Sequence, residues 1–380
     1  MNTANGSEIA NYVRSLSLID NHCHSVKLSK LTQLEFGNLL RESPPRKGGE
    51  EEAFHSMIGM SVLKSCPAVL GTTGFVEPSE YIELRESLAP LEVATRFMNS
   101  LDVSVHLVDT GFNAGDLASL EEFSHLSKSV VYEVVRLEAI AEETLLNYGA
   151  ETFLEVFPDI LRSRVSKAAG VKCIAAYRGG LDLTANMPDS RQVYQELKRL
   201  VTDAKSSKVR VYGTLIESYL AHLALEVLTL PIQFHVGFGD PDVQIDRANP
   251  SHLTPFIRRA AELGREVILL HCYPYHREAA YLTHAFENVY LDLGLTMNYV
   301  GSRSVDVLME TLELAPFERV MYSSDAYGLA ELHFLGQLIF RDALTQVLHT
   351  WITGSMCSLK YAKGVADLVG SRNAQRLYRL

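Results

Sequence analysis

The sequence has few of the features that mark crosslinked, membrane-bound or nucleic-acid-binding proteins. It holds five cysteines in 380 residues, Cys23, Cys66, Cys173, Cys272 and Cys357. They are odd in number and never spaced as C-x-x-C, which argues against both a disulfide framework and a thiolate zinc site. Any metal would then be held by histidine and carboxylate. No apolar run approaches the roughly 18 residues of a membrane span. The opening MNTANGSEIANYVRSL lacks the basic start and apolar core of a secretory signal. The expectation is a cytoplasmic protein with no membrane partner. Positive charge is also short, with 35 Lys and Arg against 46 Asp and Glu and a net charge of −11. That excludes a phosphate backbone as the expected partner, so no nucleic acid is expected. There is no low-complexity tail and no internal repeat beyond a strand-helix period.

What remains is an ordinary globular composition, 47% hydrophobic and 21% charged. The length alone would allow two or three domains, yet α/β barrels often run past about 250 residues as one unit. The pattern decides between these. Eight β-branched and aliphatic runs recur, each followed by a loop and a longer helix-period stretch: LSLIDNHCHS, VSVHLVDTGF, VVYEVVRLE, VKCIAAYRGG, PIQFHVGFG, EVILLHCYP, NVYLDLGL and RVMYSSDAYG. Residues 188–229, 251–264 and 301–314 carry helical periodicity, and NPSHLTPF supplies a cap-like entry. Eight such units predict an α/β fold of the (β/α)8 TIM-barrel type, one domain over residues 1–380. An open doubly wound sheet would leave more edges.

One connection is too long. Roughly seventy residues, 26–96, separate the first strand from the second, where a βα unit needs far fewer. This predicts a helical insertion, with a polar loop at RESPPRKGGEEE and apolar stretches such as HSMIGMSVL that need a surface to bury against. Leaving the first strand at its C-terminal end, it is expected to cover the barrel mouth as a lid; the alternative is a peripheral subdomain without a catalytic role.

The chemistry gathers at strand ends, where barrel enzymes build their sites. In LIDNHCHS, an extended backbone puts His22 and His24 on one face and Cys23 on the other. Strand five ends with His235, strand six with His271, and strand eight with Asp325. Singly, each has a plain alternative as a hydrogen-bonded core histidine or a helix-capping aspartate. Jointly, five metal-type side chains at the ends of barrel strands point to a metal centre. His55, His106, His125, His222, His252, His276, His284, His333 and His349 fall outside this pattern and are read as ordinary.

These motifs resemble the amidohydrolase superfamily, with its His-x-His on strand one, histidines on strands five and six and an aspartate on strand eight. Within it, IDNHCHS, VKCIAAYRGGLD, FHVGFGDPD, LLHCYPYHREAAYL, YLDLGL and the closing NAQRLYRL are most similar to nodulin-like amidohydrolases, some of which are fused to a glutamine-synthetase-like domain that is not expected here. The resemblance implies one divalent ion held by His22, His24, His235 and Asp325, zinc first, with manganese or iron compatible with the same ligand types. Asp325 would also take the proton from the attacking water and pass it to the leaving group, while His271 would polarise the substrate carbonyl or hold the nucleophile.

Two-metal relatives bridge their ions with a carboxylated lysine near the mouth end of strand four. Lys172 lies near that strand's beginning, some 20 Å from Arg178 if the chain is extended at about 3.3 Å per residue, so a structural salt bridge is expected of it rather than a second metal. Glu138 is another second-metal candidate, its alternative being a helix-start glutamate favoured by the dipole. For a substrate carboxylate, Arg178 and Arg136 offer a two-pronged donor, unless they pair with rim acids such as Asp240 or Asp242. Asp240 is a further substrate-side candidate, and Tyr177, on the strand face opposite Arg178, is a weak one.

The function expected is hydrolysis of a C–N bond, by metal-activated water, in a small amide carrying a carboxylate, with a γ-glutamyl amide as one candidate. The same residue set also serves non-oxidative decarboxylases of the superfamily, and a catalytically silent ligand-binding barrel is the third alternative. Product identity and metal content separate the three. The partner is a small molecule; a homo-oligomer is left open.

Overall fold

Hydrophobic runs of four to seven residues form most of the strands of the computed structural model, which describes residues 3–42, 52–112, 114–203 and 209–380. The strands are β1 (Leu18–Cys23), β2 (Val103–Asp109), β3 (Val130–Arg136), β4 (Gly170–Cys173), β5 (Ile232–Val236), β6 (Val267–His271), β7 (Val289–Asp292) and the short β8 (Val320–Met321). They lie in one eight-stranded sheet in chain order. The β1–β2, β3–β4, β4–β5, β5–β6 and β6–β7 ladders are parallel. Helices intervene between each strand and the next, the succession of a (β/α)8 TIM barrel. Each of the eight sequence runs coincides with one strand, β4 starting one residue before its run.

The chain divides into two compact units. Unit one comprises Met1–Val108, Phe112–Tyr132 and Asp292–Leu380; unit two comprises Asp109–Gly111 and Glu133–Leu291.

In unit one the long insertion is helical, as its composition predicts, with helices Gln33–Leu39, Met57–Ser65, Pro67–Leu70, Pro78–Glu86 and Pro90–Asn99. Their starts are written in the sequence. Thr32 and Glu35 form a reciprocal capping box, Ser56 caps the second helix, and prolines open the next three. The apolar faces close over Cys23, Val26, Ala326, Leu329 and Leu335, with Phe36, Phe54, Tyr81 and Phe97 among the buried rings. Most of the polar loop expected at RESPPRKGGEEE lies outside the described residues. The C-terminal NAQRLYRL segment braces the strands. The Asn373 amide donates to the carbonyls of Phe317 and Val320 at 2.7 and 2.8 Å, and the Tyr378 hydroxyl donates to Asn21 at 2.6 Å.

In unit two, β5 alternates as Ile-Gln-Phe-His-Val. Phe234 meets Phe256 of the helix Thr254–Glu262 edge-on at 5.2 Å, so the next residue, His235, faces away from that helix. Asn249 caps the short turn that leads into this helix, as the NPSHLTPF pattern predicts. The helical stretch Leu137–Arg164 is broken at Gly149, whose φ of 72° no helix accommodates.

Two sequence expectations need correction. β4 stops at Cys173 and the chain turns at once into a short 3-10 helix, Ala175–Tyr177. An extended path of 20 Å from Lys172 to Arg178 therefore does not exist, nor do Tyr177 and Arg178 alternate along a strand. β8 stops at Met321, so Asp325 sits in the loop beyond it, with a φ of 48°.

The insertion's packing makes a direct prediction. Phe36 is 1% exposed and its ring lies 5.8 Å from Phe54 and 5.9 Å from Tyr81. Phe36→Ala is expected to cost about 3–5 kcal/mol through lost transfer energy and a residual cavity, measured as a lowered midpoint in urea unfolding.

Candidate metal centre

In unit one, the end of β1 and the loop after β8 are laced together by backbone hydrogen bonds. Asn21 N–H donates to Tyr322, Asp325 N–H to His22, His24 N–H to Ala326 and Gly328 N–H to Ser25, at 2.8 to 3.0 Å. Asp20 adds a side-chain clasp, accepting from Ser324 N–H at 2.9 Å, the Ser324 hydroxyl at 2.6 Å and His22 N–H at 3.3 Å. Burial pushes the Asp20 carboxyl up to about 7, while these hydrogen bonds pull the other way. Gly294 leaves the loop its room: a Cβ there would fall 2.3 Å from the Ser323 hydroxyl and 3.4 Å from Asp325 Cβ.

The lacing brings three donors together. His22 Nε2 lies 3.1 Å and His24 Nε2 3.7 Å from the same oxygen of Asp325, with side-chain exposures of 1, 10 and 11% for the three. Ligand bonds of about 2.0–2.1 Å give a tetrahedron edges of about 3.3 Å. Imidazole nitrogens and a carboxylate oxygen at this spacing, largely out of water, fit a divalent cation such as zinc, manganese or iron. Phe112 and Tyr327 border His24, with ring centroids 6.0 and 5.7 Å away.

In unit two, His235 and His271 lie with their rings 4.6 Å apart, and Tyr177 packs on His235 at 4.4 Å. His235 Nε2 is 3.0 Å from the Phe238 carbonyl. A carbonyl only accepts, so Nε2 is the donor in this contact, the kind of contact that orients a metal-ligating histidine. His271 is fully buried and has a φ of 68°, which sets its ring off the regular strand direction. Sequence reasoning missed Gly239: a Cβ there would fall 2.1 Å from the Tyr177 hydroxyl and 3.1 Å from His235 Nε2. The signal was present in the paired glycines of FHVGFGD.

Among the substrate-side candidates, Arg136 directs Nε and Nη2 at one oxygen of Asp109, so its fork is already engaged. Arg178 is freer. Its Nη2 is 3.5 Å from Glu142, and its buried Nε has no partner among the described residues. Of the expected rim partners, Asp242 pairs with Arg210 at 2.6 Å. Asp240 is half-buried and accepts from Asp242 N–H at 2.8 Å; burial first, then the Asp242 charge, raises its carboxyl, against the pull of that hydrogen bond.

Of the second-metal candidates, Lys172 is the penultimate residue of β4 rather than near its beginning, and Glu138 lies on the other side of that strand. Lys172 is buried and pairs in register with Gln233, two residues before His235, so it shares the face of His235 one pleat repeat earlier. Its neighbour Cys173 points the other way, and Glu138 lies with Cys173. Two of the histidines read as ordinary, His106 and His333, are buried with Asp20, their ligand-type atoms within 4.8 Å of one another.

A family model described as Amidohydrolase matches residues 167–380, more than half of the chain, and the chain belongs to that family. The sequence is 28% identical over 307 residues to Protein fluG of Emericella nidulans, covering 73% of this chain and 35% of that protein. The chain thus spans about a third of this relative. A proposed metal-dependent hydrolase from Lactobacillus casei, known from its crystal structure, superposes with a TM-score of 0.86 at 25% identity, covering 98% of this chain and 97% of the other. A uronate isomerase from Bacillus halodurans shares the fold, with a TM-score of 0.66 at 14% identity and coverage of 100% and 97%. Among the described residues no helix is long and apolar enough to cross a membrane.

His106 yields a pH prediction. Burial drives its imidazole down to about 3, against about 6.5 unfolded. The unfolded chain therefore binds the extra proton first, and this contribution to stability, complete above about pH 6.5, is lost progressively toward pH 3 at up to about 1.4 kcal/mol per pH unit. His106→Gln is expected to show a shallower loss of unfolding free energy than the parent over that range, in denaturant titrations at stepped pH.

Proposed function

We propose that the chain is a metal-dependent hydrolase that cleaves the C–N bond of a small amide carrying a carboxylate, with a γ-glutamyl amide as one candidate. The observation that carries the reading is the convergence of His22 and His24 on one oxygen of Asp325 in a buried setting. Zinc is the first choice of ion, with His22, His24 and Asp325 as ligands and His235 as the fourth, as the family resemblance assigns it. Such an ion, when bound, supplies Lewis acidity and brings the ionisation of water toward neutral pH.

The remaining work falls to the chain. Asp325, whose backbone N–H donates to the His22 carbonyl, would accept the nucleophile's proton and return it to the leaving amine. His271 is assigned to the substrate carbonyl. Arg178, with an unmet Nε and only a long contact to Glu142, has donor capacity to spare for a carboxylate. Arg136, held by Asp109, is the lesser candidate, while Tyr177 and Asp240 would line the same region. The insertion helices, packed around Cys23 and Val26 next to His24, would restrict solvent there as a lid.

Two experiments check this. Asp325→Asn should retain much of the metal, since the amide oxygen still coordinates, yet lose nearly all turnover because it accepts no proton. Near-parental kcat in that variant would remove Asp325 from the proton path. Arg178→Ala should lose about 2–4 kcal/mol in kcat/KM on carboxylate-bearing amides with unchanged metal content, and Arg178→Lys should recover part of it. A parent enzyme that hydrolyses the carboxylate-free analogue equally well would overturn the substrate class, and release of carbon dioxide in place of amine would overturn the hydrolase reading.

A further inference from the structure

Unit two contains a second cluster of donors that the proposed hydrolysis does not use. Glu138, Cys173 and Glu217 are each 0% exposed, and one donor atom from each lies within 4.8 Å of the others. They come from three elements: the first turn of the helix Leu137–Arg164, the last residue of β4, and the first turn of the helix Thr214–Val227. The β4–β5 register separates this cluster from His235. Cys173 pairs with Phe234, and Phe234 packs on a helix, so Cys173 faces the helices while His235 faces the opposite side of the sheet.

Burying two carboxyl groups is costly unless their charge or polarity is met. Glu138 spends one oxygen accepting the Ile174 N–H at 2.7 Å. Its other oxygen and both oxygens of Glu217 are buried without a hydrogen-bond partner in normal geometry among the described residues. Burial, followed by the Glu138 charge, raises the Glu217 carboxyl and the Cys173 thiol well above their ordinary values. The Glu217 carboxyl and the Cys173 thiol also interact with the Glu138 carboxyl, so the three donor groups are close together and, backbone N–H groups apart, meet one another's polarity only from within the cluster.

We propose that Glu138, Cys173 and Glu217 bind a divalent cation, zinc by preference, at a structural site separate from the histidine centre. Two carboxylate oxygens and a thiolate sulfur are donors that zinc accepts. Binding breaks the S–H bond of Cys173 and the O–H bond of Glu217, forms the metal–sulfur and metal–oxygen bonds, and releases both protons to solvent. The net charge left, one negative per site, falls at two helix N-termini, where the dipoles favour it. The ion would pin the end of β4 to the starts of both helices. Spacing rules for thiolate zinc sites could not find it, because residues 138, 173 and 217 are distant in sequence and include a single cysteine.

The test is to produce the protein in cobalt-supplemented medium, so that Co²⁺ is present while the chain folds, and to record metal content and the near-ultraviolet sulfur-to-cobalt charge-transfer band. The parent should carry two cobalt ions per chain and show the band. Cys173→Ser should lose the band and one ion, Glu217→Gln should weaken the band, and His22→Ala should lose the other ion and keep the band. Circular dichroism identifies variants that fail to fold. A parent with no thiolate band, or a band that persists in Cys173→Ser, overturns the site and leaves a shared proton between the two carboxyls in its place.

Discussion

The site in unit one depends on the way the end of β1 is laced to the loop after β8. Asp325 lies four residues past the end of a two-residue strand, in a left-handed conformation that an isolated loop would not hold. Four backbone hydrogen bonds and the Asp20 clasp on Ser324 fix it there. Placing two imidazoles against one carboxylate in a largely dry setting is unfavourable for any of the three alone, and the surrounding hydrogen bonds hold the arrangement. The pre-positioned donors then present a ligand cradle whose ordering cost is met in folding rather than in binding.

Support for this lacing comes from distant parts of the chain. Tyr378, in the last helical turn, hydrogen-bonds Asn21, whose amide also donates to Asp292 at 2.5 Å, so the C-terminal segment anchors the strand that carries His22. From the other end, the insertion helices pack on Cys23 and Val26, flanking His24. In this way β1 is held on both sides of its histidines, and the aromatic packing of the insertion and the hydrogen bonds of the C-terminus serve the same strand.

Much of this was legible in the sequence. Strand runs with period-two or continuous apolar character located all eight strands, and NPSHLTPF marked a turn start, capped by Asn249. The His-x-His pair and Asp325 could be singled out because they follow apolar runs at strand ends. What could not be read was local geometry set by tertiary contacts. VKCIAAYRGG contains nothing that stops a strand at Cys173; the 3-10 turn that follows removes the extended spacing on which the reading of Lys172 and Tyr177 rested. The burial of His106 and His333 beside Asp20 was equally hidden, since it joins β2, a late helix and β1 across more than two hundred residues. Arg136 and Arg178 were recognised as cations, but only the structure shows that Asp109 engages the first and that Glu142 holds the second loosely.

The central claim is that His22, His24 and Asp325 together hold a catalytic divalent ion. Anomalous diffraction from crystals of zinc-loaded protein tests it most directly. The expected result is a strong peak within about 2.0–2.2 Å of His22 Nε2, His24 Nε2 and an Asp325 carboxylate oxygen. A fully loaded protein with no anomalous peak at these three side chains would contradict it.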